Sequence, residues 1–72
     1  MKKIYLVQYD NGEKYPEDYA EFTFKYSYSS KEQALQAIKE LKQDKEFLKN
    51  VNDFIDDTND INFWIKVVEL VD

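Results

Sequence analysis

Glu21-Phe22-Thr23-Phe24-Lys25-Tyr26-Ser27-Tyr28, followed at once by Ser29-Ser30-Lys31-Glu32-Gln33-Ala34, decides the fold of this 72-residue chain. Phe22, Phe24, Tyr26 and Tyr28 fall on one parity; Glu21, Thr23, Lys25 and Ser27 fall on the other. A period of two held without a fault is what a half-buried antiparallel strand requires. The serines that follow change the period. Ser29 stands three residues before Glu32 and Ser30 three before Gln33, and both spacings fit a capping box that opens a helix.

Downstream, Ala34, Ala37, Ile38 and Leu41 make an apolar stripe at helical spacing, with Leu35 at its edge. A second set, Phe47, Leu48, Val51, Phe54 and Ile55, is rotated by about a quarter turn from the first if one helix is continued at 100° per residue. A break in Gln43-Asp44-Lys45-Glu46 accounts for the offset and predicts two helices, over 30–43 and 45–55. Upstream, residues 3–9 are β-branched and aromatic and read as a strand that is apolar on both faces, hence central. Asn11-Gly12 signals a tight turn, but Pro16 argues against an immediate return strand, so residues 10–20 read as an acidic, tyrosine-bearing loop. Asp56-Asp57-Thr58-Asn59-Asp60 is a polar turn, and residues 61–71 form a last strand.

The order β-β-α-(α)-β gives an α+β domain. A right-handed crossover from the second strand to the third passes over the first. The expected sheet is three-stranded and antiparallel, of order 2-1-3, with one helical layer on one face. A chain this short makes a single domain over residues 1–72.

Composition removes most chemistry. There is no Cys, His or Arg, and fifteen Asp and Glu stand against ten Lys, for a net charge of −5. Imidazole bases, thiolate ligands, disulfides and bidentate guanidinium forks are therefore all missing. Carboxylate-pair catalysis needs a walled cleft to separate two pKa values, and a sheet under one helical layer offers little room for it. No enzyme and no cofactor is expected.

Asp53, Asp56, Asp57 and Asp60 invite a calcium reading. Counted from Asp56, however, loop position six is Ile61 where Gly is needed, and position twelve is Val67 where Glu is needed. A solvated turn is the better reading, and no metal is expected. Direct nucleic-acid binding is not expected either, because a protein of this charge meets repulsion at every phosphate. The four apolar residues Ile4–Val7 are too few for a secretory h-region, and no run spans a membrane. A cytoplasmic protein is expected. Lysine in place of every arginine fits an AT-rich bacterial or phage genome.

Two surface features remain. Residues 10–21 hold five acids against Lys14, and residues 53–60 hold four acids and no lysine, so each segment carries −4 while the rest is slightly positive. Acid beside tyrosine suits a basic surface on another protein, such as one that itself binds nucleic acid. The residues expected to bind are Glu13, Tyr15, Glu17, Asp18 and Tyr19 with Asp53, Asp56, Asp57 and Asp60. The second feature is the sheet face away from the helices, expected to carry Tyr5, Val7 and Tyr9 with Trp64, Val68 and Leu70. An exposed apolar patch marks an association surface, so homodimerisation through it is the alternative. The competing reading has loop 10–20 fold back and cover this face with Tyr15 and Tyr19.

The segment Tyr28-Ser29-Ser30-Lys31-Glu32-Gln33-Ala34-Leu35-Gln36-Ala37-Ile38, with the Ile4-Tyr5-Leu6-Val7 strand before it and Trp64-Ile65-Lys66-Val67-Val68-Glu69-Leu70 at the close, resembles a family of short bacterial and phage proteins of uncharacterised function. In that family a Tyr-Ser-Ser-Lys-Glu-x-Ala helix start lies between a hairpin and a last strand. The resemblance implies the same topology and brings no catalytic residues. Loop 10–20 and turn 56–60 have no strong counterpart in the pattern. The expected function is therefore a non-enzymatic protein-binding module, an inhibitor of the anti-defence or immunity type, with an acidic mimic of nucleic acid as its sharpest form.

Overall fold

The computed structural model describes residues 2–53 and 60–71. Its elements are β1 (Lys2–Asp10), β2 (Glu21–Tyr28), α1 (Lys31–Gln43), α2 (Lys45–Val51) and β3 (Phe63–Leu70). The sheet order is β2-β1-β3, and both pairings are antiparallel. Fold class, order and helical layer are as the sequence predicts. The predicted second helix stops earlier, at Val51 with Asn52 as its C-cap; Phe54, Ile55, Asp56 and Asp57 lie outside the described residues.

The helix start and break have local causes. The Ser30 hydroxyl accepts from the Gln33 N–H at 3.2 Å, and the Gln33 side-chain oxygen accepts from the Ser29 N–H at 3.3 Å. At the other end of α1, Asp44 leaves the helical region (φ −89°, ψ 94°) while its N–H donates to the Leu41 carbonyl. Its carboxylate then accepts from the Phe47 N–H at 3.1 Å and caps α2. One aspartate ends one helix and starts the next, which is why the apolar stripe jumps in register there.

Val7, Ala34, Ala37, Ile38 and Leu41 form the core, with Tyr5, Phe24, Tyr28, Phe47, Phe63 and Ile65 packed around it. Alanine at 34 and 37 lets α1 lie close to β1, where Val7 is fully buried. Phe47 ties α2 to all three strands through ring contacts with Tyr9 (5.2 Å), Phe24 (5.9 Å) and Phe63 (6.4 Å). Such pairs contribute about 0.5–1.5 kcal/mol each beyond the area they bury.

The strand faces need two corrections. Leu6 pairs with Ser27 and Gln8 with Thr23, so Phe24, Lys25 and Tyr26 together stand opposite Val7. This bulge adds two residues, a whole side-chain period, and so preserves the faces of β2 while overfilling its middle. Phe24 and Tyr28 pack on the core, whereas Phe22 and Tyr26 remain 43% and 56% exposed. Tyr5, Val7 and Tyr9, expected on the open face, turn toward the helices instead. Both faces of β1 are apolar, so its pattern could not orient it; pairing with Tyr28, Phe22, Val67 and Phe63 does. The open face carries Ile4 and Leu6 with Trp64, Val68 and Leu70.

Candidate functional site

β1 ends, β2 and β3 begin, and α2 ends at the same edge of the molecule, and a hydrogen-bonded knot of Asp and Asn side chains joins them. Asp10 is 4% exposed. One of its carboxylate oxygens accepts from the Gly12 and Asn62 N–H groups, each at 3.0 Å, and the other accepts from the Asn62 amide at 3.0 Å. Gly12 takes φ 75°, the conformation that an Asn-Gly turn needs and a side chain would oppose. A buried carboxylate is tolerated when charge-assisted bonds replace its water, and here they fix the exit of β1 against the entry of β3.

Asparagines carry the knot outward. Asn11 donates its amide to the Asp18 carbonyl at 2.7 Å and accepts from the Glu13 N–H at 3.2 Å, closing the loop on itself. The buried Asn52, at the end of α2, donates to the Asn11 carbonyl at 2.8 Å and to the Glu13 carboxylate at 2.7 Å. The Asp18 and Tyr19 N–H groups both bond to the Tyr15 carbonyl, making a single turn at the loop tip. Tyr19 donates its phenol to the Glu21 carboxylate at 2.8 Å. That bond first, then partial desolvation and the charges of Glu21 and Asp10, push the Tyr19 pKa up to about 12.

A shallow cleft of about 310 Å³ lies between the Gly12–Lys14 segment, Tyr19, Asp60 and Asn62, floored by Asp10. The structure thus brings Asp60 to the same cleft as Glu13 and Tyr19, more than forty residues away in sequence. Tyr15 (67% exposed), Glu17 and Asp18 stand free at the loop tip, and Asp53 is exposed beside the Asn52 anchor. Asp56 and Asp57 lie outside the described residues. The loop does not bury its tyrosines over the sheet, since Tyr15 and Tyr19 (43% exposed) stay accessible. Among the described residues no three acidic side chains converge as a metal site would need, and no helix is long and apolar enough to cross a membrane.

The residues that sequence reading passed over are Asp10, Asn11, Asn52 and Asn62. Asn11 could have been found from the turn signal. The others act through contacts 39 to 52 residues distant, which no local pattern announces. Compared with known families, curated proteins and solved structures, the chain matches none.

Proposed function

We propose that the protein is a non-enzymatic binding module whose acidic end docks on a basic surface of another protein. One observation supports this reading above the rest. Besides the buried Asp10, loop 10–21, Asp53 and Asp60 bring six carboxylates to one edge of the fold, with Lys14 as the loop's one lysine and Tyr15 and Tyr19 exposed among them. The knot around Asp10 and Asn52 fixes the loop before any partner arrives, so little ordering entropy remains to oppose binding. Rigid acid of this density attracts a basic partner at long range, and exposed tyrosines supply contact area at low entropic cost. A basic surface that ordinarily meets nucleic acid is the natural target, and occupying it would make the protein an inhibitor.

Glu17, Asp18 and Asp60 are exposed and have no role in the knot through their carboxylates. Reversing the three together to lysine should abolish capture of the partner from host lysate while circular dichroism stays unchanged. The same binding in wild type should weaken steeply as salt rises. Capture of the same partner by a folded triple variant would sink the reading.

A further inference from the structure

In a molecule only 14 Å through its thin dimension, a ligand finds depth where the helical layer stops short of the sheet. One such place opens between α2 and the start of β2. Tyr9 and Phe22, paired across β1 and β2, meet Phe47, Asn50 and Val51 of α2 there and enclose a pocket of about 190 Å³. A cavity of about 150 Å³ is enough to take up a benzene ring. The walls are almost wholly apolar, and three of the five lining residues are aromatic. The Tyr9 ring meets Phe47 edge to face at 5.2 Å and Phe22 at 5.6 Å with a 32° tilt. These rings are braced against one another before anything enters, and Phe22 is the exposed wall.

The surroundings of the pocket are acidic. Each element that lines it runs into acid: Tyr9 precedes Asp10, Phe22 follows Glu21, and Asp53 stands two residues beyond Val51. Around α2, at about 100° per residue, Glu46 lies about 40° from Asn50. Lys49 and Lys45 lie about 100° and about 140° from it, on the flank turned away from Phe47. The one lysine of β2, Lys25, is engaged elsewhere, with its Nζ 5.1 Å from the Tyr26 ring centroid, and Lys14 lines the cleft over Asp10. Aromatic rings present negative faces, so the rings and the carboxylates favour the same kind of guest. That guest is a cation.

We propose that this pocket takes one arginine side chain of the basic partner. The partner is the one that the acidic end attracts, so the assignment rests on that reading and names the group bound. A planar guanidinium stacks on aromatic rings and sheds water more readily than an ammonium, which suits a nearly dry pocket. Its methylene stem covers Val51, and its N–H groups reach the Asn50 amide oxygen and the Glu46 carboxylate at the rim. A second copy of this chain is not the source, because the chain contains no arginine. A purely apolar side chain would use the rings and leave the acid unanswered.

Three peptides of the form acetyl-Lys-Gly-X-Gly-Lys-amide, with X as Arg, Lys or Leu, test the proposal by NMR titration of the full chain at one low salt concentration. The arginine peptide should move the Phe22 and Phe47 ring resonances and the Asn50 side-chain amide, and bind about fivefold tighter than the lysine peptide. Phe22→Leu keeps an apolar wall but removes its π face at an exposed position. It should erase the preference for arginine with the circular dichroism spectrum unchanged. If that variant does not fold, Asn50→Lys, on the exposed side of α2, carries the same test by placing a cation at the mouth. A lysine or leucine peptide that shifts these resonances as strongly as the arginine peptide overturns the proposal, as does an arginine preference that the folded variant retains. Reversing Glu17, Asp18 and Asp60 to lysine should leave the preference in place, since none of the three lines the pocket. The two readings therefore fail separately. Partner capture that survives this reversal removes the acidic-end reading alone, and a pocket without preference for arginine removes the arginine assignment alone.

Discussion

Asp10 shows how one residue type serves two ends in this chain. Most of the acids face water, whereas Asp10 is buried and holds three N–H donors at 3.0 Å. Asp10→Ala strands all three and should lower stability by about 3 kcal/mol, a large share of the 5–10 kcal/mol or so that a small domain possesses. Urea unfolding followed by Trp64 fluorescence would show it as a fall in midpoint, and Asp10→Asn, which keeps one acceptor, should lose less. Tyr19 gives a test against pH. Its phenol is neutral in the fold to about pH 12, above the ordinary value near 10. The folded state therefore holds a proton that the unfolded chain gives up earlier. The stabilisation is complete below pH 10 and fades between there and about pH 12. Ultraviolet titration of wild type against Glu21→Gln should show one tyrosine ionising earlier in the variant. At this scale the sequence is half readable. Acids at loop tips can be recognised, but nothing in a string of letters separates buried Asp10 from exposed Asp18.

Elements were the most legible level, because their causes are local. Period two in residues 21–28, the serine caps and the shift in stripe at Asp44 each follow from geometry within a few residues. The strands and α1 form where these signals place them, and α2 starts where they place it but stops at Val51. Asp44→Ala removes the α2 cap and the carboxylate that fixes the helix junction, and should cost about 1 kcal/mol. Because α2 carries Phe47 into the ring cluster, the loss should also appear as averaging of the Phe47 ring resonances by NMR. Two things at this scale escaped the pattern. A bulge of two residues leaves the alternation of β2 intact, so period alone cannot reveal it. The orientation of β1 escaped because Ile4 and Leu6 are as apolar as Tyr5 and Val7; only the helix, by taking one face, breaks the tie.

Across the whole molecule, topology decides what composition leaves open. Two segments of −4 stand more than thirty residues apart, and their charges could have cancelled against lysines or dispersed. The order β2-β1-β3 instead sets the β1–β2 loop, the end of α2 and the start of β3 at one edge, and Asn52 and Asn62 join them there. The shallow depth of the fold has a thermodynamic consequence. Among the described residues the largest side chain that is fully buried is Val7, so the native state holds little reserve of its own. Whatever seats on it becomes part of its stability by mass action, about 2.7 kcal/mol at a hundredfold excess over Kd. The melting temperature of this protein is thus a gauge of occupancy: it should rise with any true partner, and with its own concentration if copies pair.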